Sequence, residues 1–130
     1  MTRRARPRLA EHHRRRFERL VGVAMRRLPP EIASYLDNVA ILIADEPTAE
    51  QLGRTESGHD EVLFGLYEGV PLTERSSQYS LVLPDRITLF RRTFELECAS
   101  EDEMLEEIRR TLLHEVGHHA GFGEDRLKDV

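Results

Sequence analysis

Apolar residues recur at spacings of three and four through residues 9–28. Phe17, Leu20, Val21, Ala24 and Leu28 share one helical face, which predicts an amphipathic helix. Pro29 and Pro30 stop it, because proline lacks the N–H and restricts the residue before it. Pro30 is also suited to open a short helix carrying Ile32 and Leu36. Asp37-Asn38 reads as a turn. Val39 to Ile43 is an unbroken apolar, β-branched run, the pattern of a buried strand. Residues 46–60 are polar and broken by Pro47, Gly53 and Gly58, a loop with room for one helical turn. Leu63 to Tyr67 reads as a second strand, closed by Gly69 and Pro71. Residues 72–79 read as exposed. Arg86 to Phe90 reads as a third strand, with an extension to Arg92 left open, and residues 93–99 give no clear period. The last helix has the strongest pattern. Ser100 is a candidate N-cap with Glu103 three residues on, a capping box. Asp102, Glu103, Glu106 and Glu107 suit the positive end of the helix dipole. Met104, Leu105, Ile108, Leu112 and Leu113 form its apolar stripe, and Gly121 and Gly123 end it.

The order is helix, short helix, three strands, helix: a small α+β domain. With 130 residues there is room for one substantial core. The single cysteine, Cys98, rules out an internal disulfide, and no run of 18 apolar residues provides a membrane span. A soluble cytoplasmic protein is therefore expected. Charge is spread unevenly. Residues 1–28 hold ten arginines against Glu11 and Glu18, a net of +8; the remainder holds nine basic and 22 acidic residues, a net of −13. Residues 1–15 are expected to form an irregular arginine-rich arm, with the folded domain at 16–130. Such an arm either folds back on its own acidic body or binds nucleic acid through residues 3–27, although it matches no nucleic-acid motif.

The chemistry sits on the last helix, in His114-Glu115-Val116-Gly117-His118. Residues i and i+4 lie one above the other on a helix, so both imidazoles can reach one metal ion. Zinc accepts neutral histidine nitrogens at about 2.0–2.1 Å. Glu115 is rotated off that axis, toward where a water beside the metal would sit, the place of a general base. Catalytic zinc usually has three protein ligands. Gly121 lets the chain turn back, and Glu124, six residues past His118, is then the natural carboxylate ligand, with Asp125 as runner-up.

His114 to Glu124 follows H-E-x-x-H-x-x-G-x-x-(H/D), the metzincin pattern. More closely, the chain resembles the small single-domain bacterial zincin-like metallopeptidases. Leu28-Pro29-Pro30, Leu36-Asp37-Asn38-Val39, Asp45-Glu46-Pro47, the stretch from Leu63 to Arg75, and Pro84-Asp85-Arg86-Ile87 carry that likeness, over roughly residues 16–128. The resemblance implies a minimal zincin fold, a mixed sheet of three or four strands packed on an N-terminal helix and an active-site helix. It implies Zn2+ held by His114, His118 and Glu124, with Glu115 as base. The family commonly has aspartate where Glu124 stands. No methionine follows the motif to form a Met-turn, and Met104 precedes it.

The remaining candidates are weaker. His119 points about 100° away from His118 and is expected to support the helix or join the core. Gly117 costs roughly 1 kcal/mol in a helix, which close packing of a strand can offset. His12, His13 and His59 are expected in solvent, and Cys98 in a small apolar site. An edge strand from the Leu63–Ser77 region is expected to bind extended peptide, with Tyr67, Arg75 or Tyr79 available to polarise a carbonyl. The expected function is zinc-dependent peptide hydrolysis. Activity on general proteins is expected to be weak, because the chain stops six residues beyond Glu124 without a lower subdomain. A non-catalytic zinc module that recognises peptide is the alternative.

Overall fold

A computed structural model describes residues 2–53, 62–69 and 84–120 of the chain. Helix α1 spans Thr2–Arg26, α2 Pro30–Leu36 and strand β1 Val39–Ala44, followed by α3 at Ala49–Gly53. Strands β2 (Gly65–Glu68) and β3 (Asp85–Phe90) precede α4 (Arg91–Glu97) and α5 (Glu101–Ala120). The described strands form one mixed sheet in the order β1-β3-β2. β1 runs parallel to β3 with Ile41 opposite Ile87, and β2 runs antiparallel to it with Tyr67 opposite Ile87. The α+β class and the mixed sheet are as the sequence predicts.

One apolar cluster joins the layers. Phe17, Leu20, Val21 and Ala24 of α1 are buried with Ile108, Leu112 and Val116 of α5, and Ile87 and Leu89 of β3 bring in the sheet. Each buried aliphatic or aromatic side chain contributes roughly 1.5–3 kcal/mol from removal of apolar surface from water. Phe94 packs between Phe17 and Phe64 in tilted contacts, at ring centroid distances of 5.2 and 4.9 Å.

Three local features depart from the sequence reading, and the boundary left open after Phe90 is fixed. Helix α1 begins at Thr2, seven residues ahead of the predicted start at residue 9, so the helix runs through the arm expected at residues 1–15. Arginine, alanine and leucine are strong helix formers and together outweigh Pro7. Among the described strands β1 lies at the edge of the sheet, and Leu42 is 46% exposed. An unbroken apolar run fits a buried central strand equally well, so periodicity alone does not fix position. β3 stops at Phe90, because Arg91 turns into α4 to form an ion pair with Glu95 at 2.7 Å and with Asp45 at 3.0 Å. Residues 91–97 are too short and too polar for a visible helical period, yet they are helical. Finally, β2 starts at Gly65. A Cβ there would lie 2.9 Å from Thr111 Cγ2 and 3.1 Å from the Thr88 carbonyl oxygen. Glycine is what lets β2 approach α5 so closely. Gly117 is itself buried.

The capping box of α5 forms with one difference. Ser100 Oγ accepts the Glu103 N–H at 3.1 Å, but Glu103 returns its bond to the Ala99 N–H, 2.9 Å away. A complete box opens α3: Thr48 and Gln51 exchange bonds of 2.9 and 3.0 Å.

Candidate metal centre

The second half of α5 carries the site. Val116, Leu112 and Leu113 are buried, which anchors one face of the helix and turns His114 and His118 to solvent. The helical register brings the two rings together at 4.4 Å between centroids and 83° between planes. Their Nε2 atoms are 3.1 Å apart. A point about 2.0–2.1 Å from both nitrogens sees them at an angle of roughly 100°, near the ~109° of a tetrahedral zinc shell. The separation of the two nitrogens is thus compatible with a shared ion, and equally with a hydrogen bond between the rings.

Glu115 is half-buried beside the pair. Burial pushes its carboxyl above the ordinary range, while the charge of His118 and the backbone N–H of Tyr67 pull the other way. The strand β2 thus reaches the helix through a main-chain donor aimed at the carboxylate.

Beneath the pair lies a polar and aromatic support. His119 stacks on Tyr67, with centroids 3.9 Å apart and planes 11° from parallel. Tyr67 is 6% exposed, and its hydroxyl donates to Asp85 Oδ2 at 2.7 Å and meets the Tyr35 hydroxyl at 3.2 Å. Partial burial lowers the His119 pKa, with the charge of His118 adding to the effect. Tyr67 is therefore a framework residue, and the carbonyl-polarising role expected of it does not fit a buried hydroxyl already bonded to a carboxylate. His119 is exposed and stacks on Tyr67 rather than joining the core.

The structure brings His114 and His118 into contact, with Glu115 close to His118. Glu124, Asp125, Arg75, Tyr79 and His59 lie outside the described residues. Among the described residues no group of three or more histidine, cysteine or acidic side chains could hold a metal ion. The histidine pair is thus the described part of the candidate shell. His12 is exposed and His13 half-buried. Cys98 is partly buried, and burial raises its thiol pKa, as suits a small apolar site rather than a ligand. No described helix is long and apolar enough to cross a membrane.

Sequence reading missed Tyr35 and Asp85 as parts of this support. Asp85 follows a proline and reads as a turn residue, and only the pairing of β2 with β3 brings it below Tyr67.

Comparison with curated proteins finds no match. The profile of the zincin-like metallopeptidases matches residues 36–130, which include the histidine pair, Glu115, Tyr67 and both candidate third ligands. The match covers most of the chain, and the protein belongs to the family of zincin-like metallopeptidases.

Proposed function

We propose that the protein hydrolyses peptide bonds with the help of one zinc ion, held by His114, His118 and a carboxylate from Glu124 or, failing that, Asp125. The 3.1 Å separation of the two Nε2 atoms carries this reading, and membership of the family supports it. When bound, zinc supplies Lewis acidity toward a carbonyl oxygen and toward water. Glu115 takes the proton of the attacking water at its carboxylate and passes it to the leaving amine nitrogen. The Tyr67 N–H orients that carboxylate. The substrate lies extended along β2, the outer one of the described strands on the side of α5, through main-chain hydrogen bonds.

Glu115→Gln tests the assignment, because glutamine keeps the shape and removes the proton acceptor. A general base contributes roughly 10²–10⁴-fold, so hydrolysis of a mixed peptide library should fall by that factor while zinc content is unchanged. Undiminished hydrolysis by the variant would show that Glu115 is not the base. A wild-type protein that holds zinc and cleaves nothing in the library would be a non-catalytic zinc module.

A further inference from the structure

The arginine-rich helix α1, Thr2–Arg26, lies wholly outside the family match, which begins at residue 36. We propose that its outer face binds duplex DNA through the phosphate backbone, without reading bases. Arg8, Arg15 and Arg19 fall within about 40° of one another around the helix axis, opposite the buried face of Phe17, Leu20, Val21 and Ala24. All three are exposed, and residues 8–12 are exposed without a break. The stripe spans about 17 Å of helix, beside which B-DNA carries roughly ten phosphate charges. Arg3, Arg4 and Arg6 precede it in the same helix, whose first turn holds no acidic residue.

Folding back onto the acidic body accounts for little of this charge. Arg14 reaches Asp45 and Arg19 reaches Glu101, both at 3.4 Å with more than half of each arginine side chain exposed, and Arg15 pairs with Glu11 on its own helix at 2.6 Å. Exposed pairs of this kind are worth under about 1 kcal/mol and exchange readily for phosphate.

The composition of the face selects among polyanions. Membrane helices turn an apolar face to the bilayer, but here that face is committed to the core and Leu9 is the exposed large apolar side chain on α1. Single strands are held by stacking on aromatic side chains, and the one phenylalanine of α1, Phe17, is fully buried. The major groove of duplex RNA is deep and narrow, whereas that of B-DNA, about 12 Å wide, admits a helix. The acidic remainder of the chain, net −13, turns the basic helix toward the nucleic acid and its own body away.

The test is fluorescence anisotropy of the full chain with a labelled 20-base-pair duplex, in 50 to 200 mM NaCl. A helix neutralising four to five phosphates loses about 100- to 500-fold in affinity over that range. The triple variant Arg8→Gln/Arg15→Gln/Arg19→Gln keeps helix propensity, checked by circular dichroism, and should lower the log–log salt slope by about 2–3. Arg86→Gln/Arg92→Gln/Arg110→Gln removes the same net charge elsewhere and should bind as the parent does. The proposal fails if the parent shows no salt-dependent binding, if the α1 variant binds like the parent, or if the control weakens as much as the α1 variant. Binding to vesicles with 30% phosphatidylserine that duplex DNA cannot compete away would assign the face to membranes and also overturn it.

Discussion

Helices α1 and α5 are packed against each other through one buried cluster, yet their outer faces carry different side-chain chemistry. Each commits a stripe of apolar residues, Phe17 to Ala24 on one and Ile108 to Val116 on the other, to the shared core. What remains on α5 is a pair of imidazoles one turn apart, converging on a point. What remains on α1 is a row of guanidinium groups that stay apart in solvent. Their starts differ as well. Three acidic residues and a hydrogen-bonded cap complement the dipole of α5, and the first turn of α1 holds no acid. A common packing stripe fixes where helices lie; the residues on the other registers decide what they do.

The largest expected effect comes from breaking the shared cluster. Phe17→Ala removes a fully buried ring packed on Phe94, and should destabilise the chain by about 3–5 kcal/mol in denaturant unfolding. Because one cluster holds both helices, loss of helicity and loss of metal binding should share one midpoint. Separate midpoints would mean that the site folds without α1.

A smaller effect is expected beneath the site. Tyr67→Phe removes the donor to Asp85 while keeping the ring against His119, so stability should fall by about 1–3 kcal/mol with zinc content unchanged. Zinc loss in this variant at full folding would move Tyr67 from the framework into the site.

The smallest effect belongs to Asp45, which pairs with Arg91 and with Arg14 of α1. Hydrogen bonding and charge from Arg91 hold its carboxyl below the ordinary range. Its contribution is present above the unfolded-state value near pH 4 and is lost as pH falls through the lower folded-state value. Asp45→Asn should therefore cost stability at neutral pH, and the gap to the parent should close in acid. With Asp45 nearly half exposed, screening keeps that gap under about 1 kcal/mol. A gap that persists at pH 2 would trace to packing instead.

The site was more legible than its support. H-E-x-x-H is a local pattern, and helical geometry alone places His114 over His118. The capping box and apolar stripe of α5 are local as well, so the helix could be read with its chemistry. Tyr67, Asp85 and Tyr35 meet only through strand pairing and helix packing across the chain, and nothing in their spacing predicts that they touch. Residues 91–97 were obscure because their helix depends on Arg91 finding Asp45 and Glu95, a tertiary contact. The edge position of β1 was hidden for the same reason, since Val39 to Ile43 looks alike in the middle of a sheet and at its rim. The early start of α1 is not legible because Pro7 and the density of charge favour an irregular segment there.

The claim on which the chemistry rests is that His114 and His118 hold one ion between them. Metal content of the purified protein, measured beside His114→Ala and His118→Ala variants that retain the parent's circular dichroism, tests it most directly. One zinc per chain in the parent and none in either variant is the predicted result. Zinc retained at full stoichiometry by both variants, or a parent that takes up none when supplied with it, would contradict the account.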